Sequence, residues 1–575
     1  MSKIKHVVYY MLENRSFDNV LGWLYDQADP PKNIIASPDK KQIAFMGLEE
    51  NKYFNQFDGD DTKHYVQKGT ESMKVPSPDP HESYANVCFE LFEKKTGITP
   101  GEVPTMGGFL QDYSTAYTGF KAETAVDVAK DAEGFVDKHA SFLAKAADDL
   151  DDDVKKYVPG AKTVADDVDD ETEKALTITK QQALQIMQTY SPEQLPVING
   201  IAKGYAVSDE WFSSVPSQTN CNRAFSICGT SCGLVNNEGS FFGLKPSAFK
   251  TNKSIFEVLT SNGHGTTDDW MVFYQTLSYS NTFCYTQEAF NVPNGDDNVA
   301  KIDQFFELAA AGKLPKFSYL EPDWIGVNMY KSGEPDTVVL PKLGEANGNS
   351  YHPPAQLQPG EVFLKKLYDS MTSTPEAKAA WENTLLIITF DEHGGTYDHV
   401  PPPWGAAPPW GDRKPEFELE GGFGFDRFGI RVPTILASPL IEEGTVFRSL
   451  TDVPYDHTSM IATVLDWFGV PRDQWELGER VANAPTFDNV LTLSEARTDF
   501  PEVQTAPEAD TPTPLSKSAI TDLHHLIMPK TVAKMVKKEV SEHEATITSQ
   551  QILSESNNLQ EVSDKMNSYI SSVKA

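Results

Sequence analysis

The sequence is short of positive charge. Its 575 residues carry 49 Lys+Arg against 83 Asp+Glu, a formal net charge of -34, whereas binders of nucleic acid or of anionic lipid gain much of their affinity from clustered basic side chains. Unaided binding to DNA or RNA is therefore not expected, and membrane contact is expected to be transient at most. Long apolar runs are missing as well: no stretch approaches the roughly 18–20 residues of a membrane-crossing helix. The opening MSKIKHVVYYML has no small-residue cleavage site of the secretory kind. The cytoplasm is the default expectation, with export by a machine that takes signal-less proteins as the alternative. Cysteine is scarce too. The five thiols, Cys88, Cys221, Cys228, Cys232 and Cys284, form an odd set with no disulfide framework, and no second pair joins Cys228/Cys232 to complete a zinc site.

What is present is ample apolar material, 39% hydrophobic and 11% aromatic, arranged as short buried strands. The runs His6–Leu12, Leu385–Phe390 and Val432–Ala437 read as strands buried on both faces of a parallel sheet. Each stops at polar residues: Glu13-Asn14-Arg15, Asp391-Glu392-His393-Gly394-Gly395 and Ser438-Pro439. Periodic segments at Pro359–Ser370 and Ser459–Phe468 read as helices. The class is α/β with a mostly parallel central sheet, and polar residues at the carboxyl ends of its strands mark where ligands bind in such sheets.

The composition divides the chain into a catalytic domain (1–120 and 187–499), an acidic helical insertion (121–186), a Pro- and Thr-rich linker (500–515) and a helical C-terminal region (516–575). In the last region, Val532, Met535, Val536 and Val540, then Leu559, Val562, Met566, Tyr569 and Val573, mark two amphipathic helices. These would dock on the core, self-associate or bind a partner.

Four separated segments share one chemical logic: Glu13 to Asp18, Asp79 to Glu82, Ser217 to Arg223 and Asp391 to Gly395. Glu13, Asn14, Asp391 and Glu392 offer hard oxygens whose clustered charge calls for a cation. The alternatives are separate structural ion pairs or a divalent ion, Mg, Ca or Mn with oxygen ligands alone and Zn or Fe if imidazoles join. Thr219 lies between a strand end near Val215 and a helix expected to start near Asn222, where a hydroxyl either meets a bound phosphate or simply caps the helix. Arg15 is read as pairing with Asp18 or another strand-end acid in preference to a phosphate. Trp270, Tyr274 and Tyr279 form either core or an aromatic face for a quaternary ammonium group.

The segments HVVYYMLENRSFDNVLG, DPHE, SVPSQTNCNRAF, YHPP, WENTLLIITFDEHGGTYDHVPPP, GIRVPTILASPLI and YDHTSM resemble, in order, those of the bacterial and plant non-specific phospholipase C and acid phosphatase phosphoesterase family. The resemblance runs from about Lys5 to Phe468. It implies an alkaline-phosphatase-like three-layer α/β/α fold and a covalent phosphoenzyme. It places Glu13, Asn14, Asp391 and Glu392 on metal or phosphate-handling positions, Thr219 on the nucleophile, and His81 and His352 on histidines that line the site, either of which could protonate the leaving oxygen and later activate water. Asn14, Asn222 and Arg223 are expected to bind the phosphoryl group. His393, His399 and His457 are expected to serve structure at least as much as chemistry. One departure stands out: relatives carry a segment similar to Gly-Pro-Thr-x-Pro-Asn-Arg, and here both prolines are absent.

The leading expectation is hydrolysis of glycerophospholipids, phosphatidylcholine first, to diacylglycerol and a phospho-head group through a phosphothreonine. An acid phosphatase acting on small phosphomonoesters, and a non-enzymatic interaction protein with a degenerate site, are the alternatives.

Overall fold

The computed structural model describes residues 3–116, 177–237, 253–275, 295–324, 348–413, 415 and 419–506, and beyond 527 two helices with scattered positions around them. The chain divides into two compact units, Met1–Tyr113 with Leu184–Pro514, and Ser114–Ala183 with Leu515–Ala575. Most of the expected acidic insertion, the linker beyond residue 506, Tyr279 and Cys284 lie outside the described residues.

The first unit is built on one sheet whose strands, among the described residues, are β1 (His6–Leu12), β2 (Asn33–Ile35), β3 (Ala206–Ser208), β4 (Trp270–Tyr274), β5 (Val299–Lys301), β6 (Phe317–Leu320), β7 (Thr384–Phe390), β8 (Thr434–Ala437) and β9 (Thr445–Phe447). Their order is β2-β9-β3-β8-β7-β1-β6-β4-β5. The β-branched and aromatic runs HVVYYML and TLLIITF are buried nearly throughout, as central strands covered on both faces must be. The third expected strand is shorter than Val432–Ala437, starting after Pro433, and β8 alone runs antiparallel to its neighbours. Every other pair in the sheet is parallel.

The helices that bear on the site are α1 (Phe17–Leu21), α2 (Tyr84–Phe92), α3 (Thr219–Cys228), α4 (Gln358–Thr372) and α5 (His457–Phe468). From β3 to β4 the chain crosses the sheet one way through α3, and from β6 to β7 it returns the other way through α4. Right-handed crossovers in opposite directions put their helices on opposite faces, which gives the three layers α/β/α. Helix α5 packs on α3. It starts in a reciprocal cap, in which Asp456 accepts from the Thr458 amide and the Ser459 hydroxyl bonds the Asp456 amide at 3.2 Å. Helix α3 starts at Thr219 itself, earlier than the expected start near Asn222, with Gln218 at its cap position.

In the second unit, α6 (Glu542–Ser554) and α7 (Leu559–Lys574) pack against each other. Leu559, Val562, Met566 and Ile570 make the buried stripe of α7, and Val532 and Val536 are buried as well. Among the described residues, no helix is long and apolar enough to cross a membrane.

Candidate active site

The register of two central strands builds the site. β1 and β7 pair in parallel with Leu12 opposite Phe390, so Glu13-Asn14 and Asp391-Glu392 leave the sheet side by side. Asn14 turns the chain with φ of +54°, a conformation that Asn tolerates better than most residues, and its amide donates to Asp391 Oδ1 at 3.1 Å. The turn after β7 closes over it. A Cβ on Gly394, at φ of +60°, would stand 2.2 Å from the Asn14 carbonyl oxygen, and one on Gly395 would stand 2.5 Å from that of His81. Two glycines thus let the segments around Asn14, His81 and Glu392 meet backbone to backbone.

Thr219, at the first turn of α3, reaches this convergence. Its buried hydroxyl lies 3.3 Å from Asn14 Oδ1 and 3.4 Å from Glu13 Oε2. The Asn14 amide nitrogen donates in the opposite direction, to Glu82 Oε2. Asn14 therefore turns an oxygen toward Thr219, and its N–H groups are not directed there as phosphoryl donors.

Asn222 and Arg223, expected at the phosphoryl group, are engaged by the protein itself. The Asn222 amide clamps the loop before α3: Oδ1 accepts from the Val215 amide at 3.1 Å, while Nδ2 donates to the carbonyls of Ser217 at 2.7 Å, Val215 at 3.2 Å and Gln218 at 3.3 Å. That clamp stiffens the segment in which relatives carry prolines. Arg223 is buried under β1, with Nε 2.7 Å from Glu13 Oε1 and 3.4 Å from Asp391 Oδ2, and with Nη2 donating to the carbonyls of Met11 at 3.1 Å and Leu12 at 3.3 Å. Its guanidinium lies 4.2 Å from the ring centre of Trp324. Arg223 thus neutralises the strand-end acids.

The histidines divide by environment. His393 Nε2 lies 2.7 Å from Glu90 Oε2, and Nδ1 lies 3.2 Å from Glu392 Oε2. Burial alone would lower its pKa, but the Glu90 and Glu392 carboxylates outweigh burial and raise it to about 10, so His393 is an imidazolium between two acids. His352 is the reverse case: burial lowers it to about 4, its Nδ1–H donates to the Pro353 carbonyl at 2.5 Å, and Nε2 is left as an acceptor. His81 is less buried, with Nδ1 3.5 Å from Asp112 Oδ2 and 3.3 Å from Asn86 Nδ2. His457 follows the cap residue of α5 and donates from Nε2 to the Asp391 carbonyl at 2.6 Å.

The donor chemistry fits a divalent cation. Burial pushes Glu13 well above the usual carboxylate range, with Arg223 opposing and Asp391 adding to the rise, and burial raises Glu392 as well. Acid thus exceeds positive charge in a dry cleft. Glu392 Oε2 accepts from the Gly394 amide at 2.7 Å while Oε1 has no hydrogen-bond partner among the described residues. Glu13 Oε2, Asn14 Oδ1, Glu392 Oε1 and Asp391 Oδ2, the last 3.4 Å from Arg223 Nε, are the oxygens that would hold the ion; the three carboxylates do not bring one oxygen each within 4.8 Å of one another. Carboxylate and amide oxygens suit a hard cation.

Among the described residues, the only His, Cys or acidic trio with ligand atoms within 4.8 Å of one another is a different one, Asp18, Asp398 and His399. A guanidinium already serves as the cation there. Arg431 bonds Asp18 at 2.9 Å and Asp398 at 3.0 Å and 3.2 Å, and His399 Nδ1 donates to Asp18 at 2.6 Å. Arg15, expected on Asp18, instead donates to the carbonyls of Tyr351 at 2.9 Å and Val75 at 2.7 Å and to Asn19 Oδ1 at 3.2 Å. Trp270 is buried in β4 against Phe256 and offers no open face to a head group. Cys88, Cys221, Cys228 and Cys232 are buried.

The sequence singled out the Asp79 to Glu82 segment but no role for Glu82, and Glu90, Asp112 and Trp324 were passed over; these four hold Asn14, His393, His81 and Arg223. The spacing of Asn86 and Glu90, one turn apart on α2, is the signal that was available, since it sets both on one helix face.

A threonine hydroxyl at a helix start faces an acid-rich cleft at the carboxyl ends of parallel strands, which places the protein among α/β proteins with a ligand-binding cleft at those ends. Comparison with known proteins narrows the class. The Phosphoesterase family profile matches residues 4–471, and the chain belongs to that family. Non-specific phospholipase C6 of Arabidopsis thaliana is 29% identical over 517 residues, covering 88% of this chain and 75% of that protein. Non-specific phospholipase C4 of the same plant is 26% identical over 532 residues, covering 88% and 74%. Phospholipase C A of Mycobacterium tuberculosis is 32% identical over 169 residues, covering 28% and 26%. Among solved structures, a protein in the alkaline phosphatase superfamily from Vibrio parahaemolyticus aligns at 12% identity and a TM-score of 0.29, covering 51% of this chain and 65% of that one.

Proposed function

We propose that the protein is a phospholipase C-type phosphoesterase that hydrolyses glycerophospholipids, phosphatidylcholine first, to diacylglycerol and a phospho-head group through a phosphothreonine at Thr219. The placement of Thr219 carries this reading: a buried hydroxyl at a helix start, within 3.4 Å of Glu13 Oε2 and 3.3 Å of Asn14 Oδ1. The long alignments to plant proteins named non-specific phospholipases C support the lipid substrate. A divalent ion on Glu13, Asn14, Asp391 and Glu392 would polarise the phosphoryl oxygens and lower the pKa of Thr219.

Thr219 Oγ1 attacks phosphorus in line and passes its proton to the neutral His352. The P–O bond to glycerol breaks, and the departing oxygen takes a proton from a protonated His81. Water then gives a proton to His81, now neutral, and attacks phosphorus; the P–O bond to Thr219 breaks, its oxygen takes back the proton held by His352, and the phospho-head group is freed.

Thr219→Ala is expected to lower release of phosphocholine from phosphatidylcholine by at least about 10³-fold, and mass spectrometry of quenched wild-type enzyme should find Thr219 phosphorylated. Full activity in the variant would overturn the nucleophile. Fast hydrolysis of p-nitrophenyl phosphate with no phosphocholine released from lipid would move the assignment to small phosphomonoesters.

A further inference from the structure

We infer that Glu82 is a positioning residue: it fixes which end of the Asn14 amide faces Thr219. The two ends of a carboxamide have nearly the same shape, so only a partner that discriminates donor from acceptor holds one orientation. An ionised carboxylate is such a partner because it accepts and never donates. Glu82 Oε2 accepts from Asn14 Nδ2, which leaves Asn14 Oδ1 directed at the Thr219 hydroxyl, 3.3 Å away. Asn14 and Glu82 are both buried, so water is not at hand to satisfy a reversed amide. Reversal would set Asn14 Oδ1 against the Glu82 carboxylate and N–H groups against Thr219, which would lose both contacts and bury two acceptors face to face.

The backbone leaves Glu82 little freedom to withdraw. The Gly394-Gly395 turn lies against Asn14 on one side and Pro80-His81 on the other: a Cβ on Gly394 would stand 2.2 Å from the Asn14 carbonyl oxygen, and one on Gly395 2.6 Å from Pro80 Cβ. The residue after His81 is thereby carried to the Asn14 side chain. Ser83 then caps α2, accepting from the Asn86 amide at 3.4 Å, so Glu82 is anchored at both ends.

This inference rests on Thr219 as the reacting group, and a swap of polarity tests it in the full-length protein. Asn14→Asp alone sets two carboxylates against each other. Adding Glu82→Gln supplies an N–H donor to one oxygen of the introduced aspartate and leaves the other facing Thr219. The double variant is expected to exceed Asn14→Asp by at least about 10-fold in kcat on a soluble phosphodiester, with KM changed less than about 3-fold, and to recover most of the Tm lost by Asn14→Asp. Glu82→Gln alone, which keeps an acceptor for Asn14 Nδ2, is expected to fall less than about 10-fold. Glu82→Ala is expected to fall further in kcat at similar KM. Losses that simply add across the cycle, in both kcat and Tm, would overturn the inference. Unchanged turnover in Thr219→Ala would instead sink the nucleophile, because the Tm arm of the cycle reads the Asn14–Glu82 pairing without reference to turnover.

Discussion

Arg223 shows how a residue of a motif can also hold together the elements beneath the site. In sequence, an Asn-Arg pair after the threonine reads as a phosphate grip. In the fold, the guanidinium is caged by Glu13, Asp391 and two carbonyls of β1 and stacked on Trp324. Removing it strands two buried carboxylates, so Arg223→Ala is expected to cost about 3–5 kcal/mol of stability, read as a fall in the urea midpoint. Arg223→Lys should recover only part of the loss, because an ammonium cannot reproduce the planar fork. Stability unchanged in Arg223→Ala would refute the cage. The strand-end acids were legible because apolar runs stop abruptly at them. Glu82 and Glu90 were not, since a lone acid near a helix start is indistinguishable from a solvated one until the fold buries it.

Helix α4 carries a second buried acid, Glu361, that acts between elements. Its oxygens accept from the amides of Val197 at 2.7 Å and Ile198 at 3.0 Å, at the start of the helix Pro196–Gly204, and from the Tyr351 hydroxyl at 2.7 Å. Burial raises its pKa to about 7 despite these donors. Because the folded value lies above the unfolded one, the folded state holds the proton more tightly. The associated stability is complete below pH ~4.5 and is lost as pH rises through about 7, to a total on the order of 3 kcal/mol. Wild-type stability should therefore decline from pH ~5 to ~8 relative to Glu361→Gln, which has no proton to lose. A constant offset between the two across that range of denaturation curves would contradict the assignment. At this scale the sequence was most readable: β1, β7, α4 and α5 follow from apolar runs, periodicity and caps. The direction of β8 was not, because a four-residue buried strand reads the same either way and only its partners decide.

Over the whole molecule, the charge of -34 sets which interfaces the enzyme approaches. Phosphatidylcholine is zwitterionic and presents no net field, whereas anionic lipid repels an acidic protein over roughly a Debye length, about 10 Å at 0.1 M salt. Turnover on phosphatidylcholine vesicles is expected to fall as phosphatidylserine is mixed in at low ionic strength and to recover near 0.5 M salt. A rate indifferent to both would remove charge from the account of substrate choice.

The pairing of β1 with β7 also sets a timetable for the nascent chain. Asn14 and Asp391, which bond across the ends of these strands, lie 377 residues apart in the chain, and Thr219, Arg223 and His457 arrive between or after them. β1 is synthesised before the other strands of the sheet, yet it is an interior strand, flanked by β6 and β7, so its apolar edges wait for partners through most of translation. A growing polypeptide therefore has no functioning centre until β7 emerges from the ribosome. Until then, its first strand is a site for chaperone capture or misassembly. A phosphoesterase centre assembled this late is silent in every truncated product that ends before residue 391.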